Sequence, residues 1–144
     1  MRLVFQRVKS AKLSVDNKLI SEIGAGLMVF LGVVKTDTEE HVKRAINKIS
    51  TIRIFEENDK MNKNVTDVNG EILLISNFTL CTGNTSGARP DFSLSMEREK
   101  ANEYYQLVAK GLNELNIPTK TGVFGADMQI NAHLDGPITI YKEI

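Results

Sequence analysis

Two short segments of this 144-residue chain carry groups that could do chemistry. Residues 76–80 (Ser76-Asn77-Phe78-Thr79-Leu80) follow the apolar run of residues 72–75 with two hydroxyl groups and one amide. Residues 135–139 (Asp135-Gly136-Pro137-Ile138-Thr139) place Gly-Pro between two strand-like stretches, where glycine permits and proline fixes an unusual backbone. Neither segment holds a histidine, a lysine or a pair of carboxylates. A site built from them would therefore act through backbone amides, carbonyl groups and one hydroxyl.

Thr79 is the candidate nucleophile of the first segment. A threonine in a strand is commonly explained by β-propensity and one hydrogen bond, and a nucleophilic threonine needs an adjacent base. No neighbouring position in the sequence supplies one. Of the two histidines, His41 falls in a predicted helix, where a solvated role is expected. His133 lies just before the second segment and remains a candidate.

Both segments resemble the marks of the D-aminoacyl-tRNA deacylases (D-tyrosyl-tRNA(Tyr) deacylases), a Ser-Gln-Phe-Thr-Leu segment and an Asn-Asp-Gly-Pro-Val-Thr segment. The resemblance covers essentially the whole chain in order. It departs from the family at Asn77, where glutamine is usual, and at Leu134, where asparagine is usual. Four further runs look like their family counterparts: Gln6-Arg7-Val8, Gly24-Ala25-Gly26-Leu27, Gly87-Ala88-Arg89-Pro90-Asp91-Phe92 and Phe124-Gly125-Ala126-Asp127-Met128.

For the first segment, the resemblance implies a pocket that receives the 3′-terminal adenosine of tRNA and its aminoacyl ester. Main-chain amides from Ser76 to Leu80 would hold the ester oxygen as an oxyanion hole, and Phe78 could stack on adenine or belong to the core. The hydroxyl of Thr79 is the family's nucleophile candidate, and the alternative is that the terminal ribose 2′-hydroxyl activates water. Because no general base is evident, we favour the RNA-assisted route. At Asn77 we expect the main-chain groups, and not the side-chain amide, to contribute to the function.

For the second segment, a tight turn between strands is the simple interpretation of Gly136-Pro137. In the resembled family this dipeptide is cis and enters the partner subunit's pocket, where its carbonyls exclude an L side chain. A thousandfold preference for the D-ester needs about 4 kcal/mol of differential transition-state energy. Arg7 and Met128 match positions that fix this loop, and Thr139 matches the family threonine. Each residue also has a simpler interpretation. Arg7 could be a surface charge or contact a phosphate, Met128 could pack in the core, and Thr139 could form a cross-strand hydrogen bond.

The elements that must position these segments form an α+β pattern, because strands outnumber helices and separate them. Alternating and apolar runs predict the strands, and a capping-box spacing from Thr36 to Glu39 predicts the start of the first helix. The resemblance implies a small β-barrel-like sheet flanked by two helices. Strands are predicted over residues 2–9, 11–15, 19–23, 27–34, 71–80, 119–124, 126–132 and 137–141, a loop over 81–91 and a second helix over 93–115.

Composition restricts the class of protein. With 42% hydrophobic and 25% charged residues, residues 1–144 are expected to form one globular domain. No apolar run approaches the roughly 20 residues that span a bilayer, and the single cysteine, Cys81, favours the reducing cytosol. With 18 basic and 18 acidic residues, a nucleic acid would be held by a local patch, for which the first 20 residues are the candidate. No residue set has metal-ligand spacing, so no metal or organic cofactor is expected.

The sequence thus predicts a cytoplasmic homodimeric editing hydrolase. It would cleave the carboxylic ester of D-aminoacyl-tRNA, and of mischarged glycyl-tRNA, at the 3′ end. Two alternatives stay open. One is a related editing deacylase with relaxed chirality, suggested by Asn77 and Leu134. The other is a non-catalytic module that binds RNA ends, suggested by the lack of a side-chain base.

Overall fold

The computed structural model describes residues 1–83 and 86–144. The predicted loop over residues 81–91 therefore falls partly outside the described residues. The strands are β1 (Arg2–Val15), β2 (Lys18–Ile23), β3 (Gly26–Gly32), β4 (Phe55–Glu57), β5 (Lys60–Lys63), β6 (Glu71–Ser76), β7 (Thr119–Thr121) and β8 (Gln129–Glu143). The helices are α1 (Glu39–Thr51), α2 (Arg98–Glu114) and a short 3₁₀ helix (Phe78–Leu80).

Strand β1 organises the larger sheet. It pairs antiparallel with β2 and β3 along one edge and with β8 along the other. Strand β3 continues in parallel to β6, and β6 in parallel to β7. The result is a nearly closed, barrel-like sheet with two helices, which confirms the predicted α+β class. Among the described strands, none pairs with the outer edge of β8.

The hydrophobic pattern explains how the elements pack. Strand β1 alternates, and its inward side chains Leu3, Phe5 and Leu13 are fully buried. Strand β3 is buried on both faces, as its continuous apolar run predicts. Leu27 and Val29 pack in one hydrophobic cluster, and Met28 packs in the other. One face of each helix covers the sheet: Val42, Ala45 and Ile49 in α1, and Tyr105, Val108 and Leu112 among those in α2. Burying each large apolar side chain contributes about 1.5–3 kcal/mol.

Both helices begin later than the sequence predicts. The N-cap of α1 is Thr38, whose N–H donates to His41 Nδ1 at 3.1 Å, so the predicted Thr36–Glu39 capping box is wrong. Asp37 accepts the Val34 N–H at 2.7 Å and contacts the Met1 ammonium, which holds residues 34–37 in a turn.

Helix α2 begins at Arg98 and not at residue 93. The Glu97 carboxylate accepts the N–H groups of Glu99 and Lys100 at 3.2 and 2.5 Å. This satisfies donors that the first turn of a helix leaves free.

Several strand predictions also needed correction. The strands predicted over residues 2–9 and 11–15 are one strand, β1, and the strand predicted over residues 119–124 ends at Thr121. Residues 78–80 form the 3₁₀ helix, so β6 ends at Ser76. The two strands predicted over residues 126–132 and 137–141 are parts of the single strand β8, which contains a cis peptide bond between Gly136 and Pro137. The register of β8 on β1 shifts twice opposite this dipeptide, between Gln6 and Ser10. None of the helices in the described ranges is long and apolar enough to cross a membrane.

Candidate functional site

A cavity of about 600 Å³ opens beside the end of β6 and the 3₁₀ helix. It lies between these elements, the first turns of α2 and the segment leading into β8. Five of the predicted site residues line it: Ser76, Asn77, Phe78, Thr79 and Met128. The structure thus brings the first segment together with Met128, which also packs against the core cluster of Leu13, Met28 and Leu73.

Backbone pairing fixes where the first segment turns. The Asn77 N–H donates to Leu31 O at 2.8 Å, which ends the parallel pairing of β6 with β3. The Cys81 N–H then donates to Phe78 O at 2.8 Å and closes the 3₁₀ turn. Gly32 of β3 gives this turn its room, because a Cβ there would lie 2.9 Å from Cys81 Sγ and 3.0 Å from Asn77 O. The turn presents Phe78 and Thr79 to the cavity.

The side chain of Asn77 directs the hydrogen bonds of Thr79. Asn77 Oδ1 accepts the Thr79 N–H at 3.2 Å and the Thr79 hydroxyl at 2.5 Å. An amide oxygen accepts and cannot donate, so the Thr79 hydroxyl gives its proton to Asn77 and keeps its lone pairs for a donor. Within the described residues, no protein group accepts the Phe78 N–H. The segment therefore offers one main-chain donor and one hydroxyl acceptor.

Phe78 presents an aromatic surface. Its side chain is 59% exposed although it is large and apolar. The ring packs edge-on against Phe92, with centroids 5.2 Å apart and planes at 74°. This contact holds the ring while leaving a face open, which suits stacking on a base.

Few lining groups can titrate. Neither histidine lines the cavity. Asp127 is the one carboxylate in the described lining, and no hydrogen bond joins it to Thr79 or Asn77. The hydroxyl of Tyr105 donates to Leu74 O at 2.7 Å, and burial raises the pKa of Tyr105 to about 12. Tyr105 is therefore protonated at neutral pH and cannot serve as a base.

Cys81, next to the first segment, has the properties of an inert thiol. It is buried, and its Sγ donates to Val33 O at 3.4 Å. Burial raises the pKa of this thiol, and the opposing charge of Arg2 only partly offsets the effect. A raised pKa keeps the sulfur protonated and weakly nucleophilic. In the described part of the chain, no three potential metal ligands cluster.

The second segment lies away from its own chain's cavity. Gly136 and Pro137 are exposed on β8, and neither lines the cavity. Ile130, which does, precedes Gly136 by six strand residues, roughly 20 Å at 3.3 Å per residue. The structure does not bring the two predicted halves of the site together within one chain.

Arg7 lies against the residue that precedes Gly136. Arg7 is 8% exposed, and its Nε lies 3.1 Å from Asp135 Oδ2, although the Nε–H finds no aligned acceptor in the described residues. Its Nη1 donates to Ile54 O at 3.0 Å. Thr139, beyond the dipeptide, is exposed, and its Oγ1 accepts from Gln6 Nε2 at 3.5 Å. Arg7 is thus a buried side chain whose charge lies beside Asp135 of β8, next to Gly136.

Sequence reasoning missed Arg98 and gave Asp127 no role. Both side chains line the cavity. Asp127 falls within a run quoted for its resemblance, but nothing in the pattern distinguished it from Met128. Arg98 was covered by a helix predicted from residue 93, where a charge is ordinarily solvated. No signal in the sequence connects α2 with the 3₁₀ turn, because the two elements meet at one cavity only in the tertiary structure.

The fold and the cavity together define an α+β protein with a cavity whose described lining offers a main-chain donor at Phe78 and few groups that titrate. The model of the D-Tyr-tRNA(Tyr) deacylase family matches residues 4–143. The chain belongs to this family and is a hydrolase.

Curated relatives agree with this assignment. The D-aminoacyl-tRNA deacylase of Nautilia profundicola is 46% identical over 144 residues, covering 100% of both chains. That of Persephonella marina is 49% identical over 140 residues, covering 96% of this chain and 95% of the relative.

Among solved structures, one titled c-Myc DNA Unwinding Element Binding Protein superposes with a TM-score of 0.94 at 38% identity, covering 100% of this chain and 99% of the other. A probable eukaryotic D-amino acid tRNA deacylase gives a TM-score of 0.84 at 17% identity, covering 99% and 98%, which supports the fold alone.

Proposed function

We propose that this chain is an editing hydrolase that cleaves the ester bond between a D-amino acid and the 3′ end of tRNA. It would also remove glycine mischarged on tRNA. The observation that carries the proposal is the N–H of Phe78, a residue of the cavity lining, which has no acceptor among the described residues. Membership in the deacylase family supports the substrate class. Residues 1–144 would act as one deacylase domain, with the cytoplasm as the expected compartment.

The proposed reaction places the developing negative charge on a main-chain donor. The ester carbonyl oxygen accepts from the Phe78 N–H as water attacks, and one such donor contributes about 3–4 kcal/mol to the transition state. Thr79 Oγ1, whose proton is committed to Asn77, accepts from a donor of the substrate. The exposed ring of Phe78 stacks on the terminal adenine. Ser76 shapes the wall where β6 ends.

The attacking water is activated by the ribose 2′-hydroxyl of the terminal adenosine. Two features support this route. Thr79 donates its own proton to an amide oxygen and is hydrogen-bonded to no base among the described residues, whereas a nucleophilic threonine needs one. No histidine lines the cavity. The RNA would thus supply a group that the described side chains do not.

Chirality would be enforced by a second copy of the chain in a homodimer. Gly136-Pro137 cannot reach its own cavity along β8, but β8 leaves its outer edge free of partners among the described strands. Such an edge is a template for pairing. Inserted into the partner's cavity, the dipeptide excludes an L side chain by steric conflict, whereas a D side chain points elsewhere. Selection by exclusion also explains why glycine would be accepted. Arg7 and Met128 would position this loop.

The test is deacylation of D-tyrosyl-tRNA, L-tyrosyl-tRNA and glycyl-tRNA by catalytic amounts of the protein. We expect rapid loss of the D- and glycyl esters and at least a thousandfold slower loss of the L-ester. Cleavage of the L-ester at a similar rate would replace the proposal with an editing deacylase of relaxed chirality. Binding without turnover of any ester would favour a module that binds RNA ends.

A further inference from the structure

Arg98, the first residue of α2, is placed at the cavity by a close contact. Its side chain lines the same cavity as Phe78 and Thr79. The guanidinium lies against Gly125, where an added Cβ would be 2.7 Å from Arg98 Nη2. Gly125 also has a φ of +75°, a conformation that other residues rarely adopt. The chain therefore keeps a space in the cavity wall that the guanidinium occupies.

Arg98 differs from the other cations of α2 in having no carboxylate partner. Lys100 pairs with Glu103 at 3.0 Å, and Lys110 pairs with Glu114 at 3.8 Å. In the described ranges, no carboxylate lies within ion-pair distance of Arg98, including Asp127 across the same lining. Arg98 is also the one cation among the described residues that line the cavity. Arg98 thus places a positive charge without an ion-pair partner among the described residues at the cavity wall, where it could bind an anionic group of a ligand that extends out of the cavity.

We propose that Arg98 binds the phosphodiester group on the 5′ side of the terminal nucleotide of the aminoacyl-tRNA. This inference rests on the proposed function, since the terminal adenosine must occupy the cavity. The strand continues from that adenosine through a phosphate with a full negative charge, which is unfavourable near a protein wall without a partner. Guanidinium groups bind phosphate oxygens with two parallel N–H donors. Arg98 would therefore strengthen binding of an aminoacyl-tRNA, which carries this phosphate, and would not contribute to binding of an aminoacyl-adenosine, which lacks it.

The experiment compares two substrates that differ in this phosphate. D-Tyrosyl-tRNA carries it, and 3′-O-D-tyrosyl-adenosine lacks it. We expect Arg98→Gln to raise the KM for the tRNA about tenfold or more and to leave kcat/KM for the adenosine ester within twofold. Arg98→Lys should recover part of the loss for the tRNA. Lys110→Gln, an exposed charge change on the same helix, is the matched control and should change neither substrate.

Salt dependence gives a second readout that a packing defect would not change. The slope of log(1/KM) for the tRNA against log salt should fall by about one in Arg98→Gln, as for one lost phosphate contact. Equal losses on both substrates, or no loss on the tRNA, would overturn the role of Arg98. Wild-type protein that hydrolyses neither substrate would instead overturn the proposed function on which the inference rests.

Discussion

At the scale of single residues, the hydrogen bond between Thr79 and Asn77 decides what Thr79 can do. Its hydroxyl donates to Asn77 Oδ1 at 2.5 Å, so the oxygen is an acceptor toward the cavity and not an activated nucleophile. We predict that Thr79→Ala lowers kcat on D-tyrosyl-tRNA by less than about tenfold, the effect of one hydrogen bond. Loss of a true nucleophile would cost roughly 10⁴-fold or more.

A double-mutant cycle separates this role from general damage. Asn77→Ala removes the acceptor of the same hydrogen bond, so the losses from Asn77→Ala and Thr79→Ala should not add in the double variant. Full additivity would show that the two side chains act independently. Steady-state kinetics on D-tyrosyl-tRNA, with thermal unfolding of each variant, measures both effects.

The reacting hydroxyl is predicted to belong to the RNA. D-Tyrosyl-tRNA that ends in 2′-deoxyadenosine, with the ester on the 3′-oxygen, should be hydrolysed at least a hundredfold more slowly than the ribose substrate, the lower range of general base catalysis. Asp127→Asn tests the one carboxylate of the described lining. This variant should hydrolyse D-tyrosyl-tRNA less than tenfold more slowly than the wild-type protein. The opposite ranking, with the deoxy ester cleaved normally and Asp127→Asn inactive, would make Asp127 the base.

At the scale of elements, Tyr105 ties α2 to β6, and this link should respond to alkaline pH. The buried hydroxyl donates to Leu74 O, and burial raises the pKa of Tyr105 to about 12, whereas an unfolded tyrosine has a pKa of about 10. Between pH 10 and 12 the unfolded chain therefore binds fewer protons than the folded chain. The stability contributed by this group is complete below pH 10 and is lost as the pH rises to 12, by about 2.7 kcal/mol.

Tyr105→Phe shows the sign of this effect. At pH 7 the variant should be about 1 kcal/mol less stable, because it lacks one hydrogen bond. By pH 12 it should be the more stable of the two, since it has no proton to lose. Urea unfolding of both proteins at several pH values gives the difference, and a difference that stays constant from pH 7 to 12 would contradict the prediction.

The elements also show which parts of the fold the sequence encodes locally. Strand β1 and the buried faces of the helices follow from periodicity, because each residue's environment repeats with the period of its element. The end of β6 does not, because it depends on a tertiary hydrogen bond from the Asn77 N–H to Leu31 O in β3. The resemblance could identify both candidate segments. It could not reveal Arg98, whose place in the cavity depends on packing against Gly125.

At the scale of the whole molecule, charge does not provide a general attraction for RNA. The chain carries 18 basic and 18 acidic residues, and the basic first 20 residues are largely neutralised by the fold. Arg2 pairs with Glu143 at 2.9 Å, Arg7 lies beside Asp135 at 3.1 Å, and Lys12 pairs with Glu22 at 3.1 Å. This weakens the predicted basic patch as an RNA surface and favours recognition of the RNA end at the cavity.

The proposed homodimer makes the largest-scale prediction, because under that proposal the site would be complete only when two copies meet. Leu134 is apolar, 43% exposed and two residues before Gly136 on β8, whose outer edge has no partner among the described strands. Leu134→Glu would bury a charge at the proposed interface. We expect its mass by light scattering to fall from about twice 16.0 kDa toward 16.0 kDa. Hydrolysis of D-tyrosyl-tRNA and its preference over the L-ester should both decline with the loss of the dimer.

Leu115→Glu is the matched control for this substitution. Leu115 is 51% exposed at the end of α2 and lies outside β8, so its variant should keep the dimer, the activity and the preference for the D-ester. Thermal unfolding should show both variants folded, because both side chains are exposed. A wild-type protein that has a mass of 16.0 kDa at assay concentrations, yet discriminates fully against the L-ester, would refute the shared site. Chirality would then have to be read by the lining of a single cavity, where Gly136 and Pro137 have no part.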